Sequence, residues 1–185
     1  MNPLEIINRY YTPGSPLYNL LHIHSEMVTK KALEIAEKAP FPNPDLRFIE
    51  EAAMLHDIGI FRCNAPDILC NGSQPYIQHG VIGSELLQSL NLPDHALVCE
   101  RHTGSGLSAT EIIESRLPLP PRDMLPLSPE EKIICYADKF FSKSGDPTEE
   151  KSLEQILKSM ARHGSGPLNR FIELHNLLTG ENLKV

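Results

Sequence analysis

The sequence predicts a single all-α domain, and three observations support this fold class. Apolar residues recur at helical spacing over most of the chain. Val, Ile and Thr do not gather in alternating runs, so no strand is predicted. The 185 residues are enough for one domain with a buried core. We expect an N-terminal helix and turn at 1–19, a central helical domain at 20–143, and a C-terminal helical extension at 144–185 that packs on the same domain.

Three helices are predicted in the first third of the chain. A short one covers the sequence PLEIINRYY and ends at the Thr-Pro-Gly of residues 12–14. The second runs from about residue 21 to residue 39, because Pro40 disfavours its continuation. The third contains LRFIEEAAMLHD and begins with Asn43 as N-cap and Pro44 at the first helical position.

The middle of the chain alternates between helices and irregular segments. Residues 61–75 are a loop by composition, and the sequence YIQHGVIGSELLQSL that follows is helical. Asp94 is the predicted N-cap of the next helix, HALVCERH, which ends at the sequence TGSG. The segment RLPLPPRDMLPL contains too many prolines for a regular helix.

Three more helices are predicted towards the C-terminus. The first opens with Ser128, Pro129 and Glu131, which form a capping-box arrangement. Two further helices are expected around residues 149–160 and 167–178, where apolar residues again follow helical spacing. The chain contains no heptads, internal repeats or low-complexity tracts, so no solenoid or coiled coil is predicted.

Composition and charge exclude several classes of protein. The formal net charge of −7 argues against binding to duplex nucleic acid, which needs clustered Lys and Arg. No apolar run approaches the roughly 18 residues that cross a membrane, and the start MNPLEIINRYY does not resemble a signal peptide. The four cysteines have no CxxC spacing, which favours reduced thiols. We expect a cytoplasmic protein without a membrane partner, and an oligomer is compatible with the sequence.

An adjacent His56 and Asp57 stand inside the apolar stretch MLHDIGIF. Burying both costs several kcal/mol unless a hydrogen-bonded pair, an acid–base role or a metal satisfies them. Four further metal-competent side chains lie on apolar helix faces: His24, His79, His102 and Asp138. A single such histidine is more often a core residue bonded to a backbone carbonyl, but one metal centre would satisfy all six side chains. Imidazole and carboxylate without thiolate suit Fe, Mn, Ni, Co or Zn rather than Ca.

The order His24, His56-Asp57, Asp138 resembles that of the HD superfamily of metal-dependent phosphohydrolases, and LHDIG matches its HDIG subgroup. The segment from ERHTGSGL to ICYADKF is similar to small HDIG-domain proteins and, distantly, to HD-type dinucleoside-tetraphosphate hydrolases. The resemblance covers about residues 20–143. It implies the helical HD-domain fold, with a metal site in the core of the helix bundle.

The resemblance also implies the ligands and the reaction. Two divalent transition metal ions (Fe, Mn, Ni, Co or Zn, with Mg as a further candidate) would share Asp57. The implied ligands are His24, His56, Asp57 and Asp138 for one ion, and Asp57, His79 and His102 for the other. With one ion only, His79 and His102 would face the substrate. The implied reaction is hydrolysis of a phosphate mono- or diester of a nucleotide or other small molecule by metal-activated water, with Asp57 and His56 as the catalytic residues.

Basic residues near these positions are candidates for binding the substrate phosphate. Lys31 shares a helix face with His24, although a snorkelling surface lysine explains it equally well. Lys139 follows Asp138, but adjacent helical residues diverge by about 100° and it could face solvent. Arg101 and Arg122 are weaker candidates.

Two other functions are compatible with the same residues. Di-iron oxygenases on the HD fold use similar ligands to activate O₂, and metal identity with an O₂-dependent spectroscopic change would identify one. A non-catalytic sensor that binds metal or nucleotide is the other alternative. The presence of all six candidate ligands argues against it, because a binding module does not need an open metal centre.

Overall fold

A computed structural model describes residues 1–184, and Val185, the last residue of the predicted C-terminal extension, lies outside them. Within the described residues the chain forms nine α-helices and one small sheet, which confirms the predicted all-α class. The helices are α1 (Pro3–Ile7), α2 (Pro16–Ala36), α3 (Leu46–Leu55), α4 (His79–Ser89), α5 (Pro93–Arg101), α6 (Ala109–Glu114), α7 (Pro129–Asp138), α8 (Leu153–Ala161) and α9 (Ser165–Thr179). The strands are β1 (Cys63–Ala65), β2 (Cys70–Asn71) and β3 (Gln74–Pro75), and 3-10 turns cover Ile58–Arg62, Pro66–Ile68 and Tyr76–Gln78. No helix in this part of the chain is both long and apolar enough to span a bilayer.

Side-chain caps mark the start of several helices, and the structure corrects some of the predicted boundaries. Helix α2 starts earlier than predicted, because the Ser15 side chain accepts a hydrogen bond from Tyr18 N. Asn43 is not the N-cap of α3: its φ is +51°, in the left-handed region, and it precedes a proline that disfavours the helical conformation. Asp45 caps α3 instead. Asp94 lies inside the first turn of α5 and is not its cap.

Residues 61–75, predicted as a loop, contain the small sheet. Strand β1 pairs antiparallel with β2 and parallel with β3. The strands are two or three residues long, too short for the alternating pattern that identifies a strand in a sequence. The prediction that the chain has no strand is therefore wrong. Helix α6 was also not predicted, although Ser108 and Glu111 form a reciprocal capping box at its start.

Two large apolar clusters form most of the core, and a small third cluster contains Cys63, Ile82 and Leu86. The first joins α2, α3, α5, α7, α8 and α9, with Phe171 of α9 fully buried and stacked on Tyr136 at 5.3 Å between ring centroids. The second joins α1, α2, α3, α4, α5 and the first 3-10 turn. Because α3 contributes to both clusters, its C-terminal end, with His56 and Asp57, lies where the clusters meet. The C-terminal helices α8 and α9 pack on the same core as α7.

Tyr11 and Gly59 hold the first 3-10 turn in place. The Tyr11 hydroxyl donates to Ile58 O at 2.8 Å and accepts from Phe61 N at 3.2 Å. A Cβ at Gly59 would lie 2.2 Å from the carbonyl oxygen of His79, so only glycine lets this turn pack directly against α4. The glycine of the sequence HDIG therefore brings the residues after α3 against the start of α4.

Candidate metal centre

Five helices bring the six predicted ligands together. His24 lies in the middle of α2, and His79 is the first residue of α4. The others stand at the C-terminal ends of helices: His56 follows α3, Asp57 follows His56, His102 follows α5, and Asp138 ends α7. All six side chains are buried. One candidate ligand atom from each of His24, His56, Asp57 and Asp138 lies within 4.8 Å of the others, and the same holds for Asp57, His79 and His102.

Asp57 joins the two groups because its two oxygens face different histidines. Oδ2 lies 2.9 Å from His56 Nε2 and 3.2 Å from His24 Nε2. Oδ1 lies 3.4 Å from His79 Nε2 and 3.4 Å from His102 Nε2. A carboxylate in this position is able to bridge two metal ions. The geometry thus matches the shared role that the resemblance implies for this residue.

The spacing of these atoms fits the coordination of a metal ion. Asp138 Oδ1 lies 3.1 Å from His24 Nε2 and 3.4 Å from His56 Nε2. Nitrogen and oxygen ligands about 2.1 Å from one ion lie about 3 Å apart when they occupy neighbouring positions. His56 Nε2 and both Asp57 oxygens are buried and make no hydrogen bond, although an ion pair with Lys143 reaches Asp57 Oδ2. Such orphaned atoms are costly, and a divalent cation would satisfy them together.

Backbone carbonyls orient three of the histidines. The Nδ1 atoms of His56, His79 and His102 lie 2.6, 2.7 and 2.8 Å from the carbonyl oxygen three residues earlier in the chain. A proton on Nδ1 makes each of these contacts a hydrogen bond, and in the neutral imidazole Nε2 then keeps a lone pair. Each Nε2 points at Asp57. Metal-binding histidines in proteins are commonly held in this way by their second nitrogen.

Lysines keep the two buried carboxylates ionised. Burial alone would raise the pKa of Asp57, but the charges of Lys143 and His56 outweigh it and hold that pKa well below its usual range. For Asp138 the same penalty of burial is outweighed by Lys139 and Lys143, and its pKa is also well below the ordinary value. Both carboxylates are therefore anionic at neutral pH and available to a cation.

The histidines divide into two electrostatic types. Burial lowers the pKa of His79 to about 3 and also lowers the pKa of His102, so both are neutral at pH 7. Burial also acts to lower the pKa of His56, but the adjacent charge of Asp57 raises it to about 9. Without a metal, His56 thus carries a proton at neutral pH and supplies part of the positive charge around Asp57.

The structure adds Lys143 to the site. Its Nζ lies 2.5 Å from Asp57 Oδ2, and its side chain is 11% exposed. The sequence around it, SKSGDP, is typical of a surface loop, and its position five residues after Asp138 was the only available signal. Lys139 also lies at the site, with Nζ 2.5 Å from Asp138 Oδ2 and 3.1 Å from His102 O.

Lys31 and Arg101 are engaged elsewhere. Lys31 forms an ion pair with Glu150 and lies over the ring of Phe140. Arg101 donates from Nη1 to the two carboxylate oxygens of Glu131 at 3.0 and 2.9 Å. Neither residue lines the cavity beside Asp138, so their predicted contact with substrate stays a prediction that the structure does not favour. The other weak candidate, Arg122, donates from Nε and Nη2 to Oε1 of Glu100.

A cavity of about 320 Å³ lies beside the candidate metal ligands. Its lining includes Asp138, Tyr76, Lys139, Lys143 and Lys151. The Tyr76 ring stacks on that of His79 at 4.7 Å between centroids, which connects the cavity wall to the second ligand group. The volume is within the range of small-molecule sites in proteins. The cavity therefore gives a small molecule access to the candidate metal-binding side chains.

The chain is similar to a known domain family and to several known proteins. Residues 21–142 match the HD domain family. An uncharacterised protein of Methanocaldococcus jannaschii is 38% identical over 115 residues, which cover 62% of this chain and 59% of the relative. No solved structure matches the chain.

Two further relatives carry a specific name, tRNA (cytidine(56)-2'-O)-methyltransferase. The one from Picrophilus torridus is 34% identical over 125 residues, covering 67% of this chain and 32% of the relative. The one from Thermoplasma volcanium is 28% identical over 178 residues, covering 95% of this chain and 45% of the relative. The chain thus spans less than half the length of either methyltransferase.

Proposed function

Because the chain belongs to the HD domain family, we propose that it is a metal-dependent phosphohydrolase that cleaves a phosphate ester of a nucleotide or other small molecule. One observation carries this proposal: six buried His and Asp side chains converge on Asp57, whose two oxygens face two groups of ligands. We do not propose methyl transfer, because the match covers 32% and 45% of the two methyltransferase relatives.

The proposed site holds two divalent ions. One would bind His24, His56, Asp57 and Asp138, and the other Asp57, His79 and His102. Bound divalent ions lower the pKa of a water ligand towards neutrality and neutralise the charge on phosphoryl oxygens. The chain keeps both carboxylates ionised and presents the lone pairs of His79 and His102 at neutral pH.

Lysine side chains would hold the anionic groups of the substrate. Lys143 and Lys139 border the cavity and lie beside Asp57 and Asp138. An ammonium group is a suitable partner for a phosphate oxygen, and charge-assisted hydrogen bonds are about twice as strong as neutral ones. Lys143 contacts Asp57, and Lys139 contacts Asp138 and His102 O, so each ammonium group keeps a donor for the substrate.

Phosphate release from a panel of nucleotides and simple phosphate esters tests the proposal. The purified protein would be assayed with Mn²⁺, Fe²⁺, Co²⁺, Ni²⁺ or Mg²⁺, alongside His56→Gln and the matched control His163→Gln, whose side chain is exposed. We expect release that depends on the added metal, is lost in His56→Gln and is unchanged in His163→Gln. Release that persists in His56→Gln would contradict the proposal. An iron-loaded protein that consumes O₂ and releases no phosphate would favour the oxygenase instead.

A further inference from the structure

The cavity beside Asp138 contains more positive charge than one phosphate group needs. Its lining includes Lys139, Lys143 and Lys151. Among the described residues, Lys139 pairs with Asp138 and Lys143 with Asp57, whereas Lys151 pairs with no carboxylate. This excess stands in a chain whose formal net charge is −7. The HD domain match ends at residue 142, so Lys143 and Lys151 lie outside the matched residues.

Hydrogen bonds fix the position of Lys151 in the lining of this cavity. Its backbone N donates to Phe140 O at 2.8 Å. Its Nζ donates to Phe141 O at 3.0 Å and to Lys139 O at 3.4 Å. These contacts use two of the three donors of the ammonium group, and both acceptors are uncharged. A third donor remains for a ligand in the cavity.

The three lysine side chains line the same cavity. Burial lowers the pKa of Lys151, and the charges of Lys139 and Lys143 lower it further, against an opposing effect of Asp138. Like charges that share a low-dielectric space repel, and an anion bound between them would remove the repulsion. The arrangement is therefore suited to a ligand with several negative charges.

We propose that Lys151 and Lys139 form a second anion subsite next to the phosphate position at Lys143. The substrate would then carry two anionic groups, a scissile phosphate and a neighbouring phosphate or carboxylate. The subsite is defined by this chain's own lysines, and only the identity of the first group rests on the proposed phosphohydrolase function. Lys151 acts as a specificity-determining residue that selects substrates with the second group.

Calorimetric titration of the full chain tests the subsite without any turnover. The protein is stripped of metal with a chelator, dialysed free of it, and titrated with orthophosphate, methylenediphosphonate or phosphonoacetate. We expect methylenediphosphonate to bind at least about tenfold more tightly than orthophosphate, which is the effect of one added charged hydrogen bond. Tight binding of phosphonoacetate as well would identify the second group as any anion, and tight binding of the diphosphonate alone would identify it as phosphate.

Variants separate the subsite from general electrostatics. Lys151→Met should abolish the preference for the diphosphonate and leave orthophosphate binding unchanged, whereas Lys151→Arg should retain the preference. Lys158→Met removes the same charge from the exposed side chain of α8 that pairs with Glu154, and should have no effect. Thermal unfolding followed by circular dichroism shows that each variant is folded. If Lys151→Met unfolds, Lys151→Gln, which keeps N–H donors for the two carbonyl oxygens but no charge, should lose the preference instead.

The results also separate this inference from the proposed function. Equal binding of the two probes, or equal losses in Lys151→Met and Lys158→Met, would overturn the subsite even if phosphate esters are hydrolysed. Binding of the diphosphonate that depends on Lys151, in a protein that cleaves no phosphate ester, would support the subsite and contradict the hydrolase.

Discussion

Replacing Lys143 with Met should make the protein bind metal more tightly. The Lys143 ammonium lies 2.5 Å from Oδ2 of Asp57, and Asp57 is a candidate ligand in both metal groups. A divalent ion that binds Asp57 must therefore compete with a resident cation. Removing the competitor destabilises the metal-free protein but costs the metal-loaded protein little, because the ion then neutralises the carboxylate. By thermodynamic linkage, the free energy of metal binding becomes more favourable by the difference between these two costs.

The structure gives the size of the effect. Breaking a fully buried ion pair by removing one partner costs about 3–5 kcal/mol. Here the Asp57 side chain is 0% exposed, but that of Lys143 is 11% exposed, and the protonated His56 still lies 2.9 Å from the carboxylate. We therefore expect a smaller cost, about 2 kcal/mol, for the metal-free protein. The same free energy corresponds to metal binding that is about 30-fold tighter.

Two measurements check this prediction. Urea unfolding of the chelator-treated, dialysed protein gives the loss of stability, and calorimetric titration with Mn²⁺ or Co²⁺ gives the change in affinity. Lys158→Met is the matched control, because it removes a lysine charge from an exposed helix face. Metal affinity in Lys143→Met that is equal to or weaker than that of the unmodified chain would refute the competition and show that Lys143 supports the metal site instead.

Three further predictions concern the same region. Asp57→Ala should reduce the metal content from about two ions per chain to at most one, because both ligand groups use this carboxylate. Elemental analysis of protein purified without chelator measures the metal content, and unchanged stoichiometry would exclude a bridging role for Asp57. Gly59→Ala should lower the free energy of unfolding by at least about 3 kcal/mol, because its Cβ would lie 2.2 Å from a backbone oxygen of α4. Gly14→Ala, with φ +78° but open space, should cost only about 1 kcal/mol in the same urea titration. Metal binding at pH 7 should release about one proton, because the His56 pKa is raised to about 9 and a metal ligand must be deprotonated. The metal affinity should therefore rise with pH up to about 9. Calorimetry in buffers of different ionisation enthalpy measures the proton release, and its absence would show that His56 is not a ligand.

The ligand cluster could be predicted from the sequence because its members interrupt apolar helix faces. His24, His79 and Asp138 each fall on the buried side of a regular helix, where a polar residue needs a partner. Helical periodicity depends on local spacing, so a single sequence is enough to detect it. The adjacent His56 and Asp57 added the motif that identified the family, and the match at residues 21–142 confirms that identification.

The remaining features could not be predicted because they depend on tertiary contacts. Nothing local distinguishes Lys143 from a solvated loop lysine, since its partner Asp57 is 86 positions earlier in the chain. The cap of α3 was misassigned because Asn43 and Asp45 both suit the role, and the proline between them decides the backbone conformation. The strands of the small sheet are too short for any periodic signal.

The candidate metal ligands and two of the cavity lysines lie in different parts of the chain. All six candidate metal ligands lie inside residues 21–142, the part that matches the HD domain family. Lys143 and Lys151 lie just after it, on the segment between α7 and α8, and they supply two of the three ammonium groups of the cavity. Metal chemistry would then depend on the shared domain, and the choice of substrate on a segment outside it. Exchanging residues 143–151 with those of a related chain should accordingly change the preference for anionic substrates while the metal content stays the same.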